Sequence, residues 1–173
     1  MREHITPVCF TGHRVIDTAM LPTLPQLLED TLVELIRSGY EVFRAGGAIG
    51  FDTMAALKVL ELKARFPQIK LHLYLPCRDQ DKFWNEDEKA LYRVILQRAD
   101  GVFYTTEHYT DGCMLKRNRE MIDGCGICIA YYQHQGAGGT GYSYRYALRT
   151  GVTVINLATA SAESGQTRED GTL

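Results

Sequence analysis

Short apolar segments alternate with segments of helical periodicity along almost the whole chain, and this alternation restricts the fold more than any other feature. Such alternation is typical of βαβ units that build a parallel sheet. The predicted strands are residues 8–10, 40–45, 70–75, 101–105, 126–132 and 152–157. The predicted helices are residues 24–36, 51–65, 84–98, 113–122 and 142–150. The pattern predicts an α/β fold of Rossmann-like type, an open parallel sheet of about six strands with helices on both faces.

The size and composition of the chain favour a single domain. Its 173 residues suffice for one sizeable core, and its hydrophobic (45%) and charged (23%) contents are those of an ordinary globular protein. We expect one domain over residues 1–158 and a flexible tail over residues 159–173, where Ser, Thr, Gly and charged residues dominate. Since neither a signal peptide nor an apolar stretch of membrane-spanning length is recognisable, we expect a cytoplasmic protein with no membrane association.

Charge and cysteine content bear on the partners and sites to expect. The formal net charge is −2, so nucleic acid is not expected as a partner. Five cysteines, an odd number in a chain of this size, favour free thiols in a reducing compartment. Cys125 and Cys128 are spaced as in redox motifs, but they lie at the start of a predicted strand and have no second pair or suitably spaced His. No metal or cofactor is therefore expected.

Three predicted strands end in unusual glycine-containing turns: Thr-Gly-His-Arg (11–14), Gly-Gly-Ala-Ile-Gly-Phe-Asp (46–52) and Gly-Ala-Gly-Gly-Thr-Gly (136–141). Ligands of open parallel sheets bind outside the carboxyl ends of the strands. Glycine lets the backbone approach a phosphate there, and the following helix N-terminus favours an anion. One such turn alone could be purely steric, but three at one edge predict a pocket for a nucleotide or a phosphosugar. None matches the phosphate loop of ATPases or the dinucleotide fingerprint of dehydrogenases.

Cationic side chains follow several of these strand ends. Arg14 follows the first turn, and Arg117 begins the helix after the fourth strand, so both are expected to contact the ligand through their guanidinium groups. Arg119, by contrast, is expected to be a solvated surface charge. Phe51 and Trp84 could stack on a base, although an aromatic residue at a helix entry is more commonly part of the core.

Five motifs in order resemble the YpsA-like branch of the SLOG superfamily, which groups the DNA-processing protein DprA with the LOG proteins. They are TGHR, GGAIGFDTMAA, LPCRDQDKFW, CMLKRNREMID and GGTGYSYRYALRTGV, and the resemblance covers about residues 7–156. The resemblance implies a Rossmann-like fold that binds nucleotides or nucleotide-derived, phosphoribose-containing ligands, with no settled activity for this branch. It also implies a homo-oligomer.

The LOG proteins are phosphoribohydrolases with motifs resembling R-K-x-x-M and P-G-G-x-G-T-x-x-E. This chain keeps Arg117 and Met121 of the first motif and the glycines of the second, but Tyr144 and Arg145 stand where the acidic pair is expected. Glycosidic hydrolysis needs a carboxylate, and none follows that turn before Glu163.

The remaining candidates for catalysis are Asp52, His13 and Arg117. Asp52 is as readily explained as an acid that satisfies a helix N-terminus, and His13 as a ligand contact. Weaker candidates lie on the loops that follow the third and fourth strands: Asp79, Asp81 and Asp111.

Three functions stay open at this point. Binding of a nucleotide-derived ligand, as a sensor or adaptor, is favoured over a nucleotide hydrolase of N-glycosidase or phosphoribohydrolase type. DprA-like binding of single-stranded DNA is third, because Lys and Arg form only small clusters. Taken together, the turns and the resemblance predict these ligand-binding residues: Thr11, Gly12, His13, Arg14, Gly46, Gly47, Gly50, Phe51, Asp52, Pro76, Arg78, Arg117, Asn118, Met121, Gly138, Gly139 and Thr140.

Overall fold

A parallel sheet forms the centre of the computed structural model, which describes residues 5–133 and 138–159. Within these residues the strands are β1 (Val8–Gly12), β2 (Val42–Ala45), β3 (Lys70–Leu75), β4 (Gly101–Tyr104), β5 (Ile127–Tyr131) and β6 (Thr153–Asn156). They lie in the order β4-β3-β2-β1-β5-β6, and every neighbouring pair is parallel. The predicted α/β fold of Rossmann-like type is confirmed, while the predicted tail from residue 160 onward lies outside the described residues.

Five helices connect the strands in the described part of the chain: α1 (Leu24–Arg37), α2 (Phe51–Leu62), α3 (Glu86–Arg98), α4 (Cys113–Ile122) and α5 (Gly139–Arg149). Successive connections from β1 to β4 step in one direction across the sheet, so right-handed crossovers place α1, α2 and α3 on one face. The connections through α4 and α5 step the other way and use the opposite face. Helices therefore cover both faces, as predicted.

Apolar residues at helical spacing explain how the layers pack. In α1, Leu24, Leu28, Leu32 and Leu35 form a buried stripe against the sheet. A smaller cluster that includes Cys9, Met121 and Ala147 fills the space beneath α4 and α5. The five cysteines are free and buried. In the described ranges, no helix is both long and apolar enough to cross a membrane.

The strand order defines where a ligand site is expected. The chain leaves β1 through α1 toward β2, and it returns through α4 to place β5 on the other side of β1. Neighbouring connections therefore diverge between β1 and β5, and a crevice is left open outside the carboxyl ends of these strands. The first glycine turn follows β1, and α5 begins shortly after β5, so both reach this crevice.

Candidate functional site

A cavity of about 410 Å³ lies at this switch point between β1 and β5. Its walls come from the end of β1 and from the first turns of α2, α4 and α5. Nine of the predicted ligand-binding residues line it: Thr11, Gly12, Arg14, Asp52, Arg117, Asn118, Met121, Gly139 and Thr140. Four residues that were not predicted also contribute: Phe10, Ala48, Met114 and Leu115.

The start of α5 lines the cavity with Gly139 and Thr140. Gly138 is the residue before the helix, no side chain caps this end, and the first amides of a helix have no partner within it. The hydroxyl of Thr140 donates to the carbonyl of Gly12 at 3.0 Å, which ties the start of α5 to the end of β1. Among the described residues, a Cβ on Gly138 would meet no atom within 4 Å, and one on Gly139 would meet only Nδ2 of Asn118, at 3.8 Å. Of these two glycines, Gly139 lines the cavity, and it leaves room there for a ligand.

The glycine of the first turn and the last glycine of the second turn serve packing instead. A Cβ on Gly12 would overlap the ring of Phe51, which is fully buried and has its centroid 6.4 Å from that of Phe10. Gly50 has φ +83°, and a Cβ there would overlap the backbone of Arg14. Phe51, one of the residues considered for base stacking, thus lies in the core.

Arg117 holds the second turn in place from below the cavity. Only 4% of this residue is exposed. Its Nη1 donates to the carbonyls of Gly46 and, at 3.1 Å, Tyr74, and its Nε donates to Oδ1 of Asn118 at 2.8 Å. Burial lowers the pKa of Arg117. Arginine nevertheless keeps its proton in proteins, so the guanidinium is a fixed charge beside the cavity, and its hydrogen bond orients Asn118.

Asp52 is the one carboxylate among the described residues that line the cavity. It lies on the first turn of α2 and accepts a hydrogen bond from the backbone of Ala48. Burial raises its pKa to about 6, against the opposing effects of Arg117, the Ala48 amide and Arg14. A Cβ on Gly46 would lie 2.8 Å from Oδ2 of Asp52 and 3.0 Å from Nη1 of Arg117, so glycine at this position lets both charged groups approach the turn. The Asp52 carboxyl therefore changes its protonation state near pH 6.

Arg14 joins this cavity to a second one. Its side chain is exposed, and within the described residues no carboxylate lies within ion-pair distance of it. Arg14 and Met114 also line a neighbouring cavity of about 670 Å³, whose wall includes Lys82, Phe83 and Tyr109. Sequence reasoning missed Phe83 and Tyr109. The available signal was an aromatic residue in the polar loop before the third predicted helix.

His13 and Arg78 lie outside the lining of the first cavity. Nε2 of His13 accepts a hydrogen bond from the backbone of Gln133 at 3.0 Å, and burial lowers the pKa of His13, which favours the neutral imidazole. Arg78 pairs with Glu107 at 2.8 Å and lies over the ring of Tyr104. Their roles in ligand binding stay predictions.

The other predicted residues shape the surrounding turns. The carbonyl of Pro76 accepts hydrogen bonds from the backbone amide and hydroxyl of Thr106. Gly47 has φ +69° and packs beside Leu75. Arg119 donates to the hydroxyl of Tyr142 at 2.9 Å and so links α4 to α5.

The residues that replace the expected acidic pair lie on α5. Tyr144 packs against Tyr132 with ring centroids 4.8 Å apart, and Arg145 is exposed. The α5 wall of the cavity thus carries no carboxylate among its described residues. Asp52 is the one carboxylate that the described lining residues offer.

Comparison with known proteins supports the fold and the family. Residues 9–154 match the sequence profile of the YspA SLOG family. A UPF0398 protein of Bacillus pumilus is 32% identical over 133 residues, which cover 76% of this chain and 72% of the relative. The SPbeta prophage-derived protein YoqJ of Bacillus subtilis is 32% identical over 120 residues, covering 62% of this chain and 70% of the relative.

Two solved structures share the fold. DNA processing protein A from Helicobacter pylori, described with a unique single-stranded DNA binding mode, aligns with a TM-score of 0.61 and 21% identity over 92% of this chain and 73% of its own. DNA processing protein A (DprA) from Streptococcus pneumoniae aligns with a TM-score of 0.54 and 14% identity, over 92% of this chain and 61% of its own.

The expectation that nucleic acid is not a partner is wrong. It is overturned by the fold shared with DNA-processing proteins, one of which is described with a single-stranded DNA binding mode. The expectation rested on a net charge of −2, and the charge of a whole chain does not measure the field of one groove. The comparisons give no support to the expected homo-oligomer or to a phosphosugar ligand.

Proposed function

As the chain belongs to the YspA SLOG family, we propose that it binds the phosphate of a nucleotide in the switch-point cavity, as a cytoplasmic sensor or adaptor. The start of α5 is the observation that carries this proposal. The first amides of a helix have no partner within it, and this helix start lines the cavity with Gly139 and Thr140. Among the described residues a Cβ on Gly139 would meet only Asn118, at 3.8 Å, so the backbone there is open to a ligand, and a helix N-terminus favours an anion.

The charges around the cavity favour the same ligand. Arg117 supplies a fixed positive charge, whereas Arg14 keeps its guanidinium donors available to a ligand. Asp52 opposes them when it is ionised. Two arginines against one acid leave the site positive, which suits a phosphate.

Binding measurements with Arg14→Ala test the proposal. We expect calorimetry to detect binding of nucleoside mono- or diphosphates to the wild-type protein. Arg14→Ala should weaken this binding about tenfold, because Arg14 is exposed and its hydrogen bond to the phosphate should contribute a free energy at the lower end of the range for charged hydrogen bonds. Arg93→Ala, which removes an exposed arginine of α3 outside both cavities, is the matched control and should bind normally. A folded wild-type protein that binds no nucleotide would refute the phosphate site.

The same incubations test for turnover. Release of free base or phosphate from a bound nucleotide, abolished by Asp52→Asn with binding retained, would assign the chain to the hydrolases. Binding without product, measured with all variants, would favour the sensor or adaptor function.

Single-stranded DNA is a second candidate ligand, favoured by the structural likeness to the Helicobacter pylori protein. Arg14 and Lys82 provide local cations, and Phe83 provides an exposed ring, the combination that single-stranded DNA sites use. A labelled oligodeoxythymidylate should then bind with an affinity that falls steeply with salt. Competition by a mononucleotide would show that strand and mononucleotide share one site, and binding of the mononucleotide alone would exclude the strand.

A further inference from the structure

The second cavity extends the phosphate site with aromatic surface, and we propose that it binds the base of the nucleotide whose phosphate lies in the first cavity. This inference rests on the proposed phosphate site. The two cavities meet at Arg14 and Met114, which line both. A ligand that joins an anion to a flat ring can therefore reach from one cavity into the other.

Exposed rings in the second cavity offer surfaces for stacking. Phe83 is 91% exposed and Tyr109 is 61% exposed, although burial of such rings against an apolar partner is favourable. Trp84 lines the same cavity and packs on the core, with its ring 5.2 Å from that of Tyr92 in an edge arrangement. The cavity thus combines two exposed rings with a third ring that is anchored by packing.

Hydrogen bonds hold the loops that carry these rings together. The backbone amide of Tyr109 donates to Oδ1 of Asp79 at 3.2 Å, and the amide of Trp84 donates to the carbonyl of Asp81 at 3.0 Å. The amide of Arg78 donates to the carbonyl of Glu107 at 3.1 Å, so the loop after β3 is tied to the loop after β4. The backbones of the two loops that carry the rings are therefore held together before any ligand arrives, which lowers the entropy cost of binding.

The charges of the second cavity distinguish a nucleotide base from a purely apolar guest. Nζ of Lys82 lies 5.4 Å from the Phe83 ring, and Arg14 stands at the junction of the cavities. The Asp79 carboxylate, whose pKa is lowered by a hydrogen bond from the Cys77 thiol, adds an ionised acceptor to the wall. Apolar faces with a few polar groups are typical of sites for small polar ligands. A planar base with polar edges fits this combination.

The test compares one ligand with and without its base. A nucleoside monophosphate should bind wild-type protein about 5- to 150-fold more tightly than ribose 5-phosphate, the range of base–aromatic stacking. Phe83→Ala should lose about fivefold or more of the nucleotide affinity and leave ribose 5-phosphate binding unchanged, whereas Phe83→Tyr should retain the preference. Leu148→Ala, which truncates a 53% exposed apolar side chain at the far end of α5, is the matched control and should change neither affinity.

The outcomes separate this inference from the phosphate site. Equal affinities for the two ligands, or an equal loss of both in Phe83→Ala, would overturn the base site and leave the phosphate site standing. If neither ligand binds, the phosphate site fails and the base site fails with it. The same measurement with a short single-stranded oligonucleotide tests the alternative ligand. If the oligonucleotide binds and Phe83→Ala weakens its binding, while the mononucleotide does not bind, the stacked base belongs to a strand. That result would overturn the proposal for a free nucleotide.

Discussion

Asp52→Asn should stabilise the protein at neutral pH, although it removes a charged group from the candidate site. Burial raises the pKa of Asp52 from 3.8 to about 6, so the folded state holds the proton more tightly than the unfolded state does. The contribution of Asp52 to the free energy of unfolding is then greatest at low pH, and it is lost as the pH rises through about 6. Asparagine has nearly the same shape, its Oδ1 can still accept from the Ala48 amide, and it has no charge to desolvate.

The magnitude follows from the difference between the two pKa values. A tenfold change in proton affinity corresponds to ~1.4 kcal/mol, so ionisation of Asp52 costs the folded state about 3 kcal/mol in total. About 2 kcal/mol of this cost falls between pH 4.5 and pH 8, because the unfolded carboxyl is already largely ionised at the lower pH. The stability of Asp52→Asn relative to the wild type should rise by that amount across the window.

Urea unfolding of both proteins at several pH values measures this difference, and titrations that the two proteins share cancel. Asp100→Asn is the matched control with the opposite sign. Burial acts to raise the pKa of Asp100, but hydrogen bonds from Nζ of Lys63 (2.7 Å) and the Leu71 amide (2.9 Å) outweigh it and lower the pKa. That variant should lose stability at neutral pH and lose less as the pH falls. A stability difference for Asp52→Asn that does not vary between pH 4.5 and 8 would refute the reasoning.

Two further predictions concern backbone geometry. Asn85→Ala should lower the free energy of unfolding, measured with urea, by about 1 kcal/mol, because Asn85 and Glu88 form a reciprocal capping box at the start of α3. An unchanged stability would mean that the cap contributes nothing. Gly50→Ala should lower the free energy of unfolding more than Gly124→Ala does. Both glycines have positive φ (+83° and +79°), but of the two only Gly50 has another backbone segment where the new Cβ would lie. Equal losses of stability would show that the protein relaxes to relieve this overlap.

Most of the fold could be predicted from periodicity, and the errors lie at element ends. The first strand was predicted to end at residue 10 but continues to Gly12, because its ladder with β5 extends to the pair Gly12 and Tyr131. The last helix was predicted to begin at residue 142 but begins at Gly139, since first-turn residues need no particular side chain when tertiary bonds such as Thr140 to Gly12 fix them. A glycine-rich sequence predicts a loop, and the start of the helix at this position can be seen only in the tertiary structure.

The candidate site was predictable in part for a similar reason. Arg14 follows the end of β1, and Asp52 lies on the first turn of the helix that follows β2, so the topology brings both to the crevice. The second cavity depends on contacts between loops about thirty residues apart, such as Tyr109 with Asp79. The periodicity of apolar residues along the sequence does not predict such contacts between loops. The exposure of Phe83 likewise depends on which elements fail to cover it, and that is a property of the assembled fold.

The three glycine turns look alike in sequence but perform different work, and this division bears on how variants should be interpreted. Substitutions at Gly12 and Gly50 would disturb Phe51 and the Arg14 backbone, so a loss of binding there would report damaged packing. At Gly139 an added methyl group meets, of the residues that the structure describes, only Asn118, at 3.8 Å. A loss of binding in Gly139→Ala with unchanged stability would therefore indicate contact with the ligand. Asp52 adds a cost that packing alone does not require, because an uncharged isostere would fill the same space. A buried carboxyl with such a cost to stability, lining a cavity together with two arginines, is the kind of group that occurs at functional sites.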